Sequence, residues 1–79
     1  MNIKVFVSLR EGVLDPQGQA IREALNRTGY SNVNDVRVNK VFEISVSGSK
    51  DSIKADVEKF SKELLANPII ETFRIEWGE

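Results

Sequence analysis

The apolar residues of this chain switch repeatedly between a period of two and a period near 3.6. That switching limits its fold more than any other feature. Residues 2–9 alternate: Ile3, Val5, Val7 and Leu9 share one face, and Lys4, Phe6 and Ser8 share the other, as in a half-buried strand. Arg10, Glu11 and Gly12 then leave that strand. Asp15-Pro16 predicts a helix start. Aspartate accepts backbone N–H bonds at the N-cap, and proline at the first helical position lacks a donor that would have no partner there. Ala20, Ile21, Ala24 and Leu25 follow at helical spacing, and Gly29 is placed to end the helix in a left-handed conformation. Val36 and Val38 alternate with Asp35 and Arg37, and Asn39-Lys40 reads as a two-residue hairpin turn because asparagine tolerates positive φ. The return strand carries Phe42, Ile44 and Val46 on one face. Ser47-Gly48-Ser49 breaks it, and a second helix begins near Ser49 or Asp51. Its stripe is Ile53, Val57, Phe60 and Leu64. Asn67-Pro68 stops that helix. A last strand from about Ile69 places Phe73, Ile75 and Trp77 on one face and Thr72, Arg74 and Glu76 on the other.

The order is β-α-β-β-α-β across a single domain of residues 1–79. This pattern predicts an α+β, ferredoxin-like sandwich: a four-stranded antiparallel sheet of order 4-1-3-2, with both helices on one face. The other sheet face then shows Lys4, Phe6, Ser8, Arg37, Glu43, Ser45, Thr72 and Arg74. It is lightly apolar, and the two edge strands offer unpaired backbone. Both features predict self-association. A chain of 79 residues buries only ~60–65% of its unfolded surface, so a partner would add needed stability.

Composition narrows the chemistry. The chain has no cysteine and no histidine, which removes disulfides, thiolate sites, thiol nucleophiles and the commonest neutral acid–base. Eleven basic and twelve acidic residues give a net charge of −1, with no bulk attraction to nucleic acid or anionic lipid. No apolar run approaches the ~18–20 residues of a membrane span. MNIKVFVSLR alternates too strictly for a signal peptide, so the cytoplasm is the expected setting.

Specific sites fare no better. The serines have no histidine to act as base. The loop Gly12-Val13-Leu14-Asp15-Pro16-Gln17-Gly18 lacks the Lys-Ser/Thr of a phosphate-binding loop, and its aspartate would repel an anion. The carboxylates are scattered among lysines, unlike a calcium loop. RNA-recognition modules of this architecture need central-strand aromatics with nearby arginine and glycine. Here the first strand offers Phe6 alone, and Phe42 points inward. Arg10-Glu11-Gly12-Val13 is a faint echo of the arginine loop of acyl phosphatases. What remains is a module that binds partners, with a small-metabolite-sensing dimer as the alternative.

Three segments carry a more specific resemblance: Gly12-Val13-Leu14-Asp15-Pro16-Gln17-Gly18, Asp35-Val36-Arg37-Val38-Asn39-Lys40, and Leu64-Leu65-Ala66-Asn67-Pro68-Ile69-Ile70-Glu71. In this order and spacing the chain resembles the PurS family, small subunits of phosphoribosylformylglycinamidine synthase, over its whole length. Asn39 stands where the family often has glycine, and residues 45–49 are richer in serine than the family pattern. The resemblance implies a non-catalytic subunit that forms dimers or tetramers. It implies a bridge between an ATP-dependent synthetase subunit (PurL) and a glutaminase subunit (PurQ), across which ammonia passes. It implies no cofactor bound by this chain, while the complete enzyme uses ATP, magnesium and glutamine. The expected contact residues are Arg10, Asp15, Pro16, Gln17 and Gly18 in the first loop and Arg37, Asn39 and Lys40 at the hairpin. Phe6, Phe73, Arg74 and Trp77 are the expected self-association residues.

Overall fold

The strand with the strictest alternation becomes the centre of the sheet. In the computed structural model, which describes residues 1–78, β1 (Asn2–Leu9) lies between β2 (Lys40–Ser45) and β3 (Glu71–Trp77), antiparallel to both. The register keeps side chains of one kind together, since directly opposed residues share a face. Val5 faces Phe42 on one side and Ile75 on the other, and Ile3 faces Ile44 and Trp77. On the opposite face Lys4 lies between Glu43 and Glu76, and Phe6 between Val41 and Arg74.

A single helix closes the apolar face. α2 (Lys50–Phe60) starts at Ser49, whose side chain accepts from the Ser52 N–H while Ser52 Oγ accepts from the Ser49 N–H. Gly48, at φ +110°, allows the chain to turn into it. Val57 of α2 and Ile3, Val5 and Val7 of β1 are all buried to 0–1% exposure. Past Phe60 the helix widens into a π-helical turn, Ser61–Leu65, closed by the Ala66 N–H on the Ser61 carbonyl at 2.9 Å. The wider turn inserts a residue into the helical phase. The expected inward position Leu64 is therefore 81% exposed, while Ser61, Leu65 and Ala66 turn to the core. Ser61 Oγ is fully buried with no hydrogen-bond partner.

α1 (Pro16–Arg27) is capped as the sequence predicts, by Asp15 and Pro16 at its start and Gly29, at φ +105°, beyond its end. Its position differs from the expected sandwich. No α1 residue joins the hydrophobic core, and Gly18 is its one buried residue. α1, the residues 13–15 that lead into it and the returning residues 28–39 form an arm that projects from the body. The radius of gyration is 16.2 Å and the extents are 50 × 26 × 14 Å, whereas a compact domain of this length has a radius near ~12 Å.

The expected fourth strand is likewise absent from the sheet, which has three strands in the order β2-β1-β3. Residues 35–38 are held against the start of α1. Val38 donates its N–H to Asp15, Arg37 donates to the Leu9 carbonyl, and the Val36 carbonyl lies where a side chain on residue 18 would be. Asn39-Lys40 is consequently no hairpin turn. Among the described residues only glycines have positive φ, and Lys40 is already in β2 opposite Val7. No helix among the described residues is long and apolar enough to cross a membrane.

Candidate functional site

The loop after β1 and the segment before β2 are joined through one carboxylate. Asp15 has extended backbone, φ −109° and ψ 92°, as an N-cap requires. Its Oδ1 accepts from the Gly18 N–H at 2.9 Å and its Oδ2 from the Val38 N–H at 2.8 Å, so it caps α1 and fastens the return segment together. The Val38 bond, then the Gly18 bond, hold its pKa below the ordinary value near 3.8. Partial burial opposes them, and the charge of Arg37 and the Gln17 backbone assist. Pro16 begins the helix, and Gln17 is exposed. Gly18 is required by contact: a Cβ there would overlap the Val36 carbonyl oxygen and lie 2.9 Å from Asp15 Oδ2.

Two arginines tie this root to the body. Arg37 donates to the Leu9 carbonyl at 3.0 Å. Arg10 donates through its guanidinium to the Pro68 carbonyl at 2.9 Å and through its backbone N–H to the Ile70 carbonyl at 2.7 Å. Of the expected contact residues, Asp15 and Gly18 of the first loop and Arg37 of the return segment are thus brought close together. Arg10, Asp15, Gly18 and Arg37 spend their polar groups on internal bonds, while Gln17, Asn39 and Lys40 face outward.

The four expected self-association residues do not form one surface. Phe6 and Arg74 lie on the open sheet face, with the guanidinium 4.2 Å from the ring centroid and bonded to Glu76 at 2.8 Å. Phe73 and Trp77 lie on the helix-covered face. Phe73 packs beside the core, and the Lys50 ammonium stands 5.3 Å from the Trp77 ring. Alternation along β3 separates the pairs.

The residues missed from sequence are exposed and apolar. Leu14, Ile21 and Tyr30 lie on the arm, and Leu64, Ile69 and Ile70 at the turn before β3, all 39–82% exposed. Ile69-Ile70 carried a signal, two adjacent apolar residues that no alternating strand can both bury. Among the described residues no three Asp or Glu side chains gather closely enough to hold a metal ion.

A sheet-and-helix body with a bonded root, a projecting arm and apolar surface near that root has the layout of an assembly module, built to be completed by other chains. Comparison with known proteins gives the family. The model for PurS, phosphoribosylformylglycinamidine (FGAM) synthase, matches residues 2–79, and the chain belongs to that family. It is 43% identical over 77 residues to the FGAM synthase subunit PurS of Bacillus subtilis, covering 98% of this chain and 92% of that protein. It superimposes on the B. subtilis PurS crystal structure with a TM-score of 0.90 at 42% identity, over 99% and 98% of the two chains. It also matches a chain of the PurLQS structure from Thermotoga maritima, with a TM-score of 0.80 at 26% identity over 95% of this chain and 93% of that one. As a member of this family the chain is a subunit of FGAM synthase, an enzyme of purine biosynthesis.

Proposed function

We propose that this chain acts as the bridging subunit of its FGAM synthase, holding a PurL-type synthetase subunit and a PurQ-type glutaminase subunit in register. The observation that carries this reading is the full-length likeness to PurS, together with the likeness to a chain of the assembled PurLQS structure. The role is positional. Ammonia released into water is diluted and largely protonated, so glutamine hydrolysis and amidation must occur in docked sites. A module that docks them supplies orientation and effective concentration rather than chemistry.

In this reading the synthetase partner uses ATP and magnesium, the glutaminase partner uses glutamine, and this chain binds none of them. The setting is the cytoplasm. The chain works as a dimer or tetramer, and its outward residues Gln17, Asn39 and Lys40 are available for contacts with other subunits. The four-stranded sandwich of order 4-1-3-2 belongs to the assembled state, with residues 35–38 added beside the free edge of β2. Its support is that these residues are outside the sheet and next to that edge in the chain.

Reconstitution tests the proposal. Purified large and glutaminase subunits are assayed for glutamine-dependent amidation of formylglycinamide ribonucleotide with and without this chain. Activity with glutamine should require the chain, while activity with added ammonia should not. Equal glutamine-dependent rates without it would defeat the reading.

A further inference from the structure

We propose that the outer edge of β3 takes an extended, acidic segment of a different chain as an added strand, seated in the trough between β3 and α2. The inference rests on the reading of this chain as the bridging subunit of FGAM synthase, and it names a surface by which it grips another subunit.

Half of the backbone groups of β3 point away from the sheet. The Gly78 N–H donates to the Asn2 carbonyl at 2.8 Å, and the Arg10 N–H donates to the Ile70 carbonyl at 2.7 Å. In the same register Phe6 stands opposite Arg74 and Ser8 opposite Thr72. Hydrogen-bonded pairs alternate along an antiparallel ladder, so Thr72, Arg74 and Glu76 are the β3 residues bonded to β1. The N–H and C=O groups of Phe73 and Ile75 therefore face the outer edge, and no described residue bonds to them. β3 is the end strand of the sheet and runs for 7 residues without a proline or a break in register. An uncovered edge of this kind is a template for another strand.

The edge borders a trough with room for side chains. Phe73 and Ile75 line it from the sheet, and Ala55, Glu58, Lys59 and Lys62 line it from the helical side, around about 590 Å³. Past Lys62 and Phe73 it continues into a second hollow of about 250 Å³, bordered by Arg10, Pro68 and Glu71. Together the two hollows follow β3 from Ile75 back to Glu71. A strand added at the edge sends alternate side chains into this trough, while its main chain bonds to Phe73 and Ile75.

Charge selects the occupant. Arg10, Lys59 and Lys62 line the trough together with Glu58 and Glu71. Glu71 is already engaged, since its Oε1 accepts the Asn67 N–H at 2.7 Å. Among the described residues neither lysine is ion-paired. A carboxylate entering beside them gains charge-assisted hydrogen bonds, and apolar side chains find Ala55, Phe73 and Ile75. A second copy of β3 is the poorer occupant. Its helix-facing residues are Phe73, Ile75 and Trp77, with Glu71 spent on Asn67, so it brings no free carboxylate to the lysines.

Amide hydrogen exchange, read residue by residue, tests the proposal on the chain alone and in the complex with purified PurL-type and PurQ-type subunits. In the chain alone the Phe73 and Ile75 amides should exchange fast, while Arg74, bonded to β1, stays protected. In the complex the Phe73 and Ile75 amides should slow at least ~100-fold. No slowing in the complex overturns the proposal. Protection of both amides in the chain alone overturns it too, because a second copy then covers the edge.

The charge is tested separately. Lys59 and Lys62 are exposed, so the double variant Lys59→Glu, Lys62→Glu should keep its circular dichroism. By sedimentation it should weaken assembly of the complex at least ~10-fold, and Lys59→Arg, Lys62→Arg should assemble as the wild type does. Unchanged assembly by the glutamate variant also overturns the proposal. Glutamine-dependent amidation with the wild-type chain keeps the two readings apart. Activity that requires the chain, with β3 amides unprotected, removes the added strand alone. Slowed β3 amides, with activity that does not require the chain, remove the bridging function alone.

Discussion

The body and the arm of this molecule are held together by different forces. The body, β1 to β3 under α2, buries Val5 and Val57 to 0% exposure and Ile3 and Val7 to 1%. Its stability comes from apolar area removed from water. The arm contains an equally well-capped helix, yet only Gly18 is buried. Its placement comes from a few hydrogen bonds at its root, chiefly those to Asp15 and from Arg37 and Arg10. A helix of this length gains little alone in water, because most helical stability in proteins comes from packing. Packing therefore makes one region self-sufficient, while caps and tethers make the other ready to be packed by something else.

The largest expected effect breaks the comparison on the body side. Val5→Ala should cost ~2–3 kcal/mol of global stability in urea unfolding, through lost transfer energy and a cavity between sheet and α2. The corresponding truncation on the arm, Leu14→Ala, should cost under ~0.5 kcal/mol at concentrations where the chain is monomeric. Comparable losses would mean that the arm packs on its own body.

Next comes Gly18→Ala, where the new methyl meets the Val36 carbonyl oxygen. An expected ~1–3 kcal/mol of overpacking should be spent locally. Amide exchange in α1 should speed up while β1 stays protected. Uniform loss of protection would show that arm and body open as one unit.

Asp15 sharpens the comparison through pH. Its folded pKa is lowered, so its contribution is fully present above the ordinary value near 3.8 and is lost as pH falls through the lower folded value. In a titration downward from pH 5, the Gly18 and Val38 amides should lose protection before those of β1. Asp15→Asn should loosen the arm at neutral pH and abolish that early acid step. An identical acid profile in the variant would show that Asp15 does not control the arm.

The smallest effect is on the open face. Arg74→Ala removes an exposed ion pair and the contact with Phe6, and should change stability by at most ~0.5–1 kcal/mol. A larger loss would show that the open face carries structural weight of its own.

Much of the local structure was legible in the residues. Asp15-Pro16 and Gly29 bound α1, and Ser49 begins α2. The alternation in β1 and β3 assigned Phe6 and Arg74 to one face and Phe73 and Trp77 to the other, although it could not show that this divides the expected self-association set. Leu64 was misread because a single π-helical turn displaces the stripe by one residue, and a widened turn leaves no mark in a hydrophobic period. Residues 35–38 were misread because alternation reports extended backbone, not the partner that takes its hydrogen bonds. Asp15 and Arg37 take those of Val38 and Leu9 instead.

The sequence by itself thus determined both helices and the three strands that form, most of their caps, which strand faces are apolar and, through three spaced segments, the family. Those properties depend on near neighbours: caps, turn residues and the period of side chains. The tertiary structure alone decided that α1 stays out of the hydrophobic core, that the sheet has three strands, and that Leu14, Leu64 and Ile69 are left exposed. The physical reason is that an apolar stripe specifies a need for cover without specifying the source. The same Ile21 and Leu25 satisfy a helix packed on its own sheet and a helix held out for another chain.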